Sequence, residues 1–169
     1  MKKEFKLGLV MQPNENGATR FSSGSSSSNL ENAPKREVKI TDSRDSIIAH
    51  VLMEEANNGN HSAARHLADI LKKYDQIAAG NLLINHGYAG EGWETIGDCF
   101  DEESLHHEAF DAYKESADAG FPCGKCKLGC YYAQGKGCKK NKALAKKWIE
   151  EAAQMCPDAE KYLDQYGLL

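Results

Sequence analysis

One stretch, Leu128 to Ala153, constrains the fold more than any other part of the 169-residue chain. It reads LGCYYAQGKGCKKNKALAKKWIEEAA. Leu128, Gly129 and Tyr132 recur at helical spacing, and the missing side chain of Gly129 lets a second helix approach closely. GKG then interrupts the helix, because glycine readily adopts positive φ, and Asn141 is a favourable N-cap for a second helix. The stretch therefore predicts two helices packed as an antiparallel pair.

The second helix of this pair has one large ring among small side chains, which suits a tight crossing. Its predicted inner face consists of Ala145, Trp148, Ile149, Ala152 and Ala153. This arrangement resembles the Sel1-like repeat, a relative of the tetratricopeptide repeat, in which two antiparallel helices are joined by a YxxGxG loop. The matching positions are Tyr132, Gly135, Gly137, Ala145, Trp148, Ala152 and Ala153. Cys138 and Cys156 depart from the family pattern, which usually has an aliphatic residue and a closing glycine there.

A single helix pair cannot bury its own apolar face, so a repeat needs neighbours in the chain. A second helix of the same kind lies thirty-six positions earlier, in HEAFDAYKESADAG, and it follows a helix that carries Trp93, Ile96, Gly97 and Phe100. ANNGNHSAARHLADIL is a weaker copy. We place the resemblance over about Ser43 to Tyr166. It implies an all-α fold, a short right-handed solenoid of antiparallel helix hairpins with a disordered N-terminal tail.

We expect the domain boundary near residue 43, with residues 1–42 forming a disordered or weakly structured tail and residues 43–169 the helical repeat domain. ATRFSSGSSSSNLENAPKRE is too rich in serine and glycine to build a core. Alternation of apolar residues from Phe5 to Met11 allows a short strand or a linear motif, although a frayed tail is the favoured interpretation.

Helix boundaries follow from capping residues. Asp42 or Ser43 is expected to cap the first helix, Asn60 the second and Asp75 the third. The first helix has one apolar stripe, formed by Ile47, Ile48, Val51, Leu52 and Ala56. HGYAGEGW is predicted to be a linker between units. Pro122 and Pro157 are expected in the first turns of later helices, the last of which caps the solenoid.

The charges of the chain are segregated, although its net charge is only −4. Between Glu91 and Asp118 the only lysine or arginine is Lys114, whereas residues 119–149 contain eight lysines and no Asp or Glu. Because adjacent units of a solenoid are neighbours in space, an acidic surface should lie beside a basic one. The two surfaces either attract each other as solvated helix faces or form a basic patch for an acidic partner.

Cysteines and histidines are the candidate residues for a metal or redox site. Cys123, Cys126 and Cys130 share one helix face and Cys138 lies one loop away, but a helix spaces such ligands poorly for zinc. Packing is therefore favoured over a disulfide or metal. The six histidines show no i, i+4 pair of the metal-helix type, and no HExxH, GxSxG or GxxxxGKS motif occurs. We therefore expect no enzyme, no cofactor and no metal.

The resemblance implies a non-enzymatic adaptor or scaffold that binds a protein or peptide on the concave face of the solenoid. We expect that face near the junction of the acidic and basic units. The candidate partner-binding residues are Lys125, Lys127, Tyr131, Glu94, Asp98 and Asp101. The alternatives are an anionic-ligand or nucleic-acid binder acting through the Lys125–Lys147 patch, and a cysteine-based metal or redox module. Nucleic acid is not the expected partner.

No signal peptide or membrane span is recognised in the sequence, so a cytoplasmic location is expected.

Overall fold

A computed structural model of the protein describes residues 5–8 and 37–169. Helices dominate the described residues, and the all-α prediction is confirmed. The elements are β1 (Phe5–Gly8), β2 (Glu37–Ile40), α1 (Ser43–Asn57), α2 (His61–Leu71), α3 (Gln76–Asn85), α4 (Ala89–Glu102), α5 (His106–Asp118), α6 (Pro122–Gln134), α7 (Lys142–Ala153), a 3₁₀ turn (Pro157–Ala159) and α8 (Lys161–Gln165).

Local capping chemistry places most of these helices. The Asp42, Asn60, Asp75 and Asn141 side chains each accept a hydrogen bond from a backbone N–H in the first turn of the helix that follows. Each bond satisfies an N–H that the helix itself leaves unpaired. The four predicted caps are therefore confirmed, as is the start of α6 at Pro122.

Each helix packs on the next along the chain. In the α6–α7 hairpin, Lys125 near the start of α6 meets Glu151 near the end of α7, so the two helices run antiparallel. Gly129 lies at their crossing. A Cβ at Gly129 would come within 2.6 Å of Ile149 Cγ1 and 3.1 Å of the Ala145 carbonyl oxygen. The close helix approach inferred from the missing side chain is confirmed.

The first helix is oriented differently from the sequence interpretation. Ala49 and Ala56 are buried and Leu52 is partly buried, but Ile47, Ile48 and Val51 are exposed. Of the predicted apolar stripe, only Leu52 and Ala56 thus lie on the buried side of α1. Periodicity identifies apolar positions, but it cannot tell which part of a wide stripe other elements cover.

HGYAGEGW was predicted to be a linker, and this is wrong for most of its length because α4 begins at Ala89. The two glycines inside the helix, Gly90 and Gly92, instead allow close packing, and a Cβ at Gly90 would lie 2.5 Å from Phe121 Cβ. A Cβ at Gly92 would lie 2.5 Å from the carbonyl oxygen of Gly80 in α3. No side chain caps this helix, which is why its start carried no local signal.

The strands lie before the helices and pair antiparallel, with Phe5 opposite Ile40 and Gly8 opposite Glu37. Val38 and Ile40 are buried in a core that they share with α1, α2 and α3. Packing therefore extends a few residues before the expected boundary at residue 43. The rest of the tail, residues 1–4 and 9–36, lies outside the described residues. At the other end, Leu163 and Leu168 are buried against α7, in agreement with a C-terminal cap.

Candidate functional site

Three carboxylates on α4 face two α6 residues across the surface between these helices, which contact each other directly. Glu94, Asp98 and Asp101 fall at i, i+4 and i+7, so they line one side of α4. The Lys127 ammonium on α6 lies 2.7 Å from Glu94 Oε1 and 2.6 Å from Asp98 Oδ2. Lys127 therefore bridges two carboxylates, and we call this group, together with Asp101 and Tyr131, the α4–α6 cluster.

Two tyrosines complete the network around these ions. Tyr131 donates its hydroxyl proton to Asp101 Oδ1 at 2.6 Å, and Tyr113 of α5 donates to Asp98 Oδ1 at 2.7 Å. Their rings meet edge to face, with centroids 5.0 Å apart. Lys136 from the loop after α6 pairs with Asp101. Charge-assisted hydrogen bonds of this kind fix the orientation of the carboxylates.

A shallow cavity of about 210 Å³ opens between the side chains of this network. Its lining residues are Asp98, Asp101, Tyr113, Lys127, Cys130, Tyr131, Gln134 and Lys136. The side chains of Asp98, Asp101 and Lys127 each remain about one third exposed. A ligand or peptide would therefore meet preorganised polar groups and the edges of aromatic rings.

Contacts within the network shift the pKa values of its members so that Lys127 and Asp101 stay charged and the two tyrosines stay neutral. Burial acts to lower the pKa of Lys127, but the hydrogen bonds to Asp98 and Glu94 outweigh burial and raise it. Burial acts to raise the pKa of Asp101, yet the bonds from Lys136 and Tyr131 lower it. Burial and the neighbouring carboxylate raise the pKa of Tyr113 and of Tyr131. The cluster is thus a set of charged pairs with neutral tyrosine donors.

The structure brings together five of the six predicted partner-binding residues: Glu94, Asp98, Asp101, Lys127 and Tyr131. It places Lys125 elsewhere. The Lys125 ammonium lies 2.9 Å from Glu151 Oε2 and over the Trp148 ring, both on α7. Two residues along a helix turn a side chain by about 200°, so Lys125 and Lys127 cannot face the same way. Whether the five others contact a partner stays a prediction.

Sequence reasoning missed Tyr113 and Lys136. Tyr113 lies on α5, outside the two helices that carry the predicted residues, yet its hydroxyl reaches Asp98. Lys136 lies in the GKG loop and was counted only as one of eight lysines. Its separation from Asp101 is 35 residues, and no local pattern joins residues so far apart.

Much of the lysine run is neutralised within the chain. Lys125, Lys127 and Lys136 pair with carboxylates, and their side chains are 19% to 34% exposed. Lys146 and Lys147 lie 3.8 and 3.9 Å from the carboxylates four residues later on α7. Attraction between the acidic and basic surfaces therefore accounts for Lys127 and Lys136, whereas the other paired lysines of the run meet carboxylates of α7. Within residues 119–149, the exposed lysines outside these pairs are Lys139, Lys140 and Lys142, which follow α6.

The six cysteines are free thiols. Cys126 packs against the α7–α8 core, and Cys138 Sγ lies 3.7 Å from the Tyr131 carbonyl oxygen. The Cys126 and Cys130 thiols lie four residues apart on α6, and their interaction raises the pKa of Cys126 and lowers that of Cys130. Among residues 5–8 and 37–169, His, Cys, Asp and Glu side chains nowhere form a group of three suited to a metal ion.

Solved structures share this architecture. A Sel1 repeat protein from Oxalobacter formigenes superposes with a TM-score of 0.57 and 26% identity, over 69% of this chain and 96% of that one. The chain has the Sel1-like repeat fold. A protective antigen from uropathogenic Escherichia coli with an SLR fold superposes with a TM-score of 0.56 and 22% identity, over 69% of this chain and 29% of that one. The Sel1-repeat fold is typically that of a non-enzymatic interaction scaffold.

One sequence relative extends the comparison. The chitin synthase regulator SKT5 from Saccharomyces cerevisiae is 39% identical over 106 residues. That match covers 62% of this Sel1-like chain but only 15% of the yeast protein. No protein-family model matches the chain. Of the helices in the described residues, none combines the length and apolar character that a membrane span requires.

Proposed function

We propose that this Sel1-like chain is an adaptor that binds a polypeptide partner on the surface between α4 and α6. The observation that carries the proposal is the α4–α6 cluster itself, which combines tyrosine ring edges, fixed carboxylates and a cavity of about 210 Å³ on one face. Tyrosine is enriched at protein interfaces because it offers a large apolar area and a polar tip at low entropy cost.

Charge supports a partner with basic side chains at this surface. Three carboxylates, Glu94, Asp98 and Asp101, stand against two ammonium groups, Lys127 and Lys136, so the local charge is −1 by count. The whole chain carries −4. A partner that presents Lys or Arg is favoured by long-range attraction, mainly through its association rate.

The similarity to a chitin synthase regulator suggests what such an adaptor does. We propose that the bound partner is an enzyme whose activity the adaptor controls, and that binding takes place in the cytoplasm. The alternative, an anion or nucleic-acid binder, has less support because Lys125, Lys127 and Lys136 already pair with carboxylates.

Substitutions within the cluster are poor tests, because each candidate residue also holds the helices together. Charge reversal at Lys127, for example, would place a carboxylate beside Glu94 and Asp98 and destabilise the fold. Gln134 is better suited: it lies on the cavity rim, it is exposed, and its one side-chain hydrogen bond is to Tyr166. Lys147, exposed on α7, is the matched control.

The experiment places a photo-crosslinking amino acid at Gln134 or at Lys147 in the full chain. We expect a discrete polypeptide adduct from Gln134 and none from Lys147, and we expect the purified partner's activity to change when the chain is added. Equal adducts from both positions would refute this interface. Association should weaken only modestly between 50 and 200 mM salt, whereas about a thousandfold loss would indicate nucleic acid.

A further inference from the structure

The described residues leave an apolar surface of α1 uncovered, at the opposite end of the described helices from α8. Ile47, Ile48 and Val51 are 63%, 48% and 50% exposed. They are half of the large exposed hydrophobic residues in the described part of the chain, and they lie within five positions of one another. Clustered exposure of this kind marks interaction surfaces, whereas single exposed apolar residues are ordinary.

Charged residues flank this surface with a definite polarity. Arg44, Ile48, Val51 and Glu55 fall at i, i+4, i+7 and i+11, which is a single stripe along the helix. All four are exposed. The basic end is Arg44, the acidic end is Glu55, and the two apolar residues lie between them.

The stripe is complementary to itself when reversed. Ile48 and Val51 lie about 2 Å on either side of its midpoint, and Arg44 and Glu55 about 8 Å on either side, at 1.5 Å rise per residue. If a second α1 lies antiparallel on the first, Ile48 faces Val51 twice and Arg44 faces Glu55 twice. A two-fold interface requires this reciprocity, in which residue i meets j and j meets i.

We propose that α1 pairs antiparallel with α1 of a second copy of this chain, forming a two-fold dimer around Ile48 and Val51. Charge complementarity selects this occupant, because Arg44 is in no ion pair within the described residues and Glu55 makes only an exposed hydrogen bond with Asn60. The surface is small, so the dimer is a weak one that forms as concentration rises. The cluster between α4 and α6 takes no part in it and stays open to another partner.

Sedimentation equilibrium of the full chain over a wide concentration range tests the proposal. The weight-average mass should rise from 18.6 kDa toward twice that value. Val51→Asp should keep the mass at the monomer value with unchanged helical circular dichroism. A mass of 18.6 kDa for the parent at every concentration would overturn the proposal. So would dimerisation that appears only after residues 1–36 are deleted, since the deleted segment would then be the occupant.

Charge exchange tests the antiparallel geometry directly. Arg44→Glu and Glu55→Arg should each weaken self-association roughly tenfold or more, because symmetry places two like-charge pairs in each homodimer. An equimolar mixture of the two variants should restore association, since both pairs in the heterodimer are then opposite in charge. Lys114→Glu and Asp111→Arg, on the exposed side of α5, are matched controls and should not affect association. No recovery in the mixture would exclude the antiparallel pair.

Discussion

The two ends of the helical array fill their cores in opposite ways. The N-terminal core is built from large aliphatic side chains, with Leu67, Leu71 and Leu83 fully buried beside Val38. The α6–α7 hairpin instead brings two backbones together at Gly129, against Ala145 and Ile149. The N-terminal core depends on the volume of its side chains, whereas the α6–α7 crossing depends on Gly129 having no side chain.

This contrast explains why the repeat pattern is easier to recognise in the sequence of the α6–α7 hairpin than in the N-terminal units. A close backbone approach tolerates few residue types, so the α6–α7 hairpin has a specific pattern. A leucine core can be filled by several combinations of similar volume, so the N-terminal units look degenerate. Close approach alone does not make a motif, because α3 and α4 approach as closely at Gly80 and Gly92. The pattern is clearest where a close crossing is joined to the glycine loop and the Asn141 cap of the α6–α7 hairpin.

The contrast predicts that shortening a buried side chain lowers the free energy of unfolding most in the N-terminal core. Leu67→Ala removes a fully buried side chain and leaves a cavity, at a cost of roughly 3 kcal/mol of unfolding free energy. Urea denaturation followed by circular dichroism measures it. A cost below about 1 kcal/mol would show that this region collapses around the cavity and is not firmly packed.

Adding a side chain at the helix crossing should destabilise the α6–α7 hairpin. Gly129→Leu forces a side chain against Ile149 and the Ala145 carbonyl, and overpacking of this kind costs roughly 1 to 3 kcal/mol. Ala143→Leu, at an exposed position on α7, adds a comparable side chain without a clash and should change stability by less than about 0.5 kcal/mol. If both variants matched the parent, the close crossing would not limit stability.

Local interactions are the part of this fold that the sequence predicts well. Asn60 and Asp75 cap helices that begin at the next residue. These caps could be predicted because each bond joins a side chain to an N–H only three residues away. Gly135 and Gly137 adopt φ of 78° and 64° in the loop where positive φ was expected. The start of α4 was missed, since it has no capping side chain.

The candidate site could be predicted only in part, because it depends on contacts between residues that are far apart in the sequence. Glu94, Asp98 and Lys127 were grouped from charge blocks and adjacency of units, and the structure brings them into contact. Lys125 was grouped with them wrongly, since its direction depends on the rotation of α6 about its axis, which charge blocks do not specify. The pairing of β1 with β2 joins residues about thirty positions apart and left only a weak alternation in the sequence.

The ion pairs between α4 and α6 should contribute less than either core. Lys127→Met leaves Glu94 and Asp98 without their cation, at a cost of about 1 kcal/mol after allowance for solvent screening of these partly exposed groups. Lys147→Met is the control, because that pair is 3.9 Å long and largely exposed, and its loss should be near zero. Equal effects in urea unfolding would mean that the cluster adds nothing to stability.

The pH dependence of the same variant tests whether charge is the cause. Because the pKa of Lys127 is raised in the folded chain, its contribution is complete below its ordinary value of 10.5 and is lost as pH rises through the folded value. The difference in unfolding free energy between the parent and Lys127→Met should therefore be constant from pH 7 to 10 and shrink at higher pH. A difference that persists above that range would assign the effect to packing of the lysine stem.

The smallest effect is expected from deleting residues 1–36, because the boundary between tail and domain is predicted to lie after them. Deleting residues 1–36 removes β1 but keeps Val38 and Ile40 in the core of α1, α2 and α3. A two-stranded ribbon is only marginally stable by itself, so the loss should stay below about 1 kcal/mol. Deleting residues 1–40 also removes the two buried side chains, each worth roughly 1.5 to 3 kcal/mol. Thermal unfolding of both variants should therefore place the boundary between residues 36 and 40, and a large loss from the shorter deletion would move it toward residue 5.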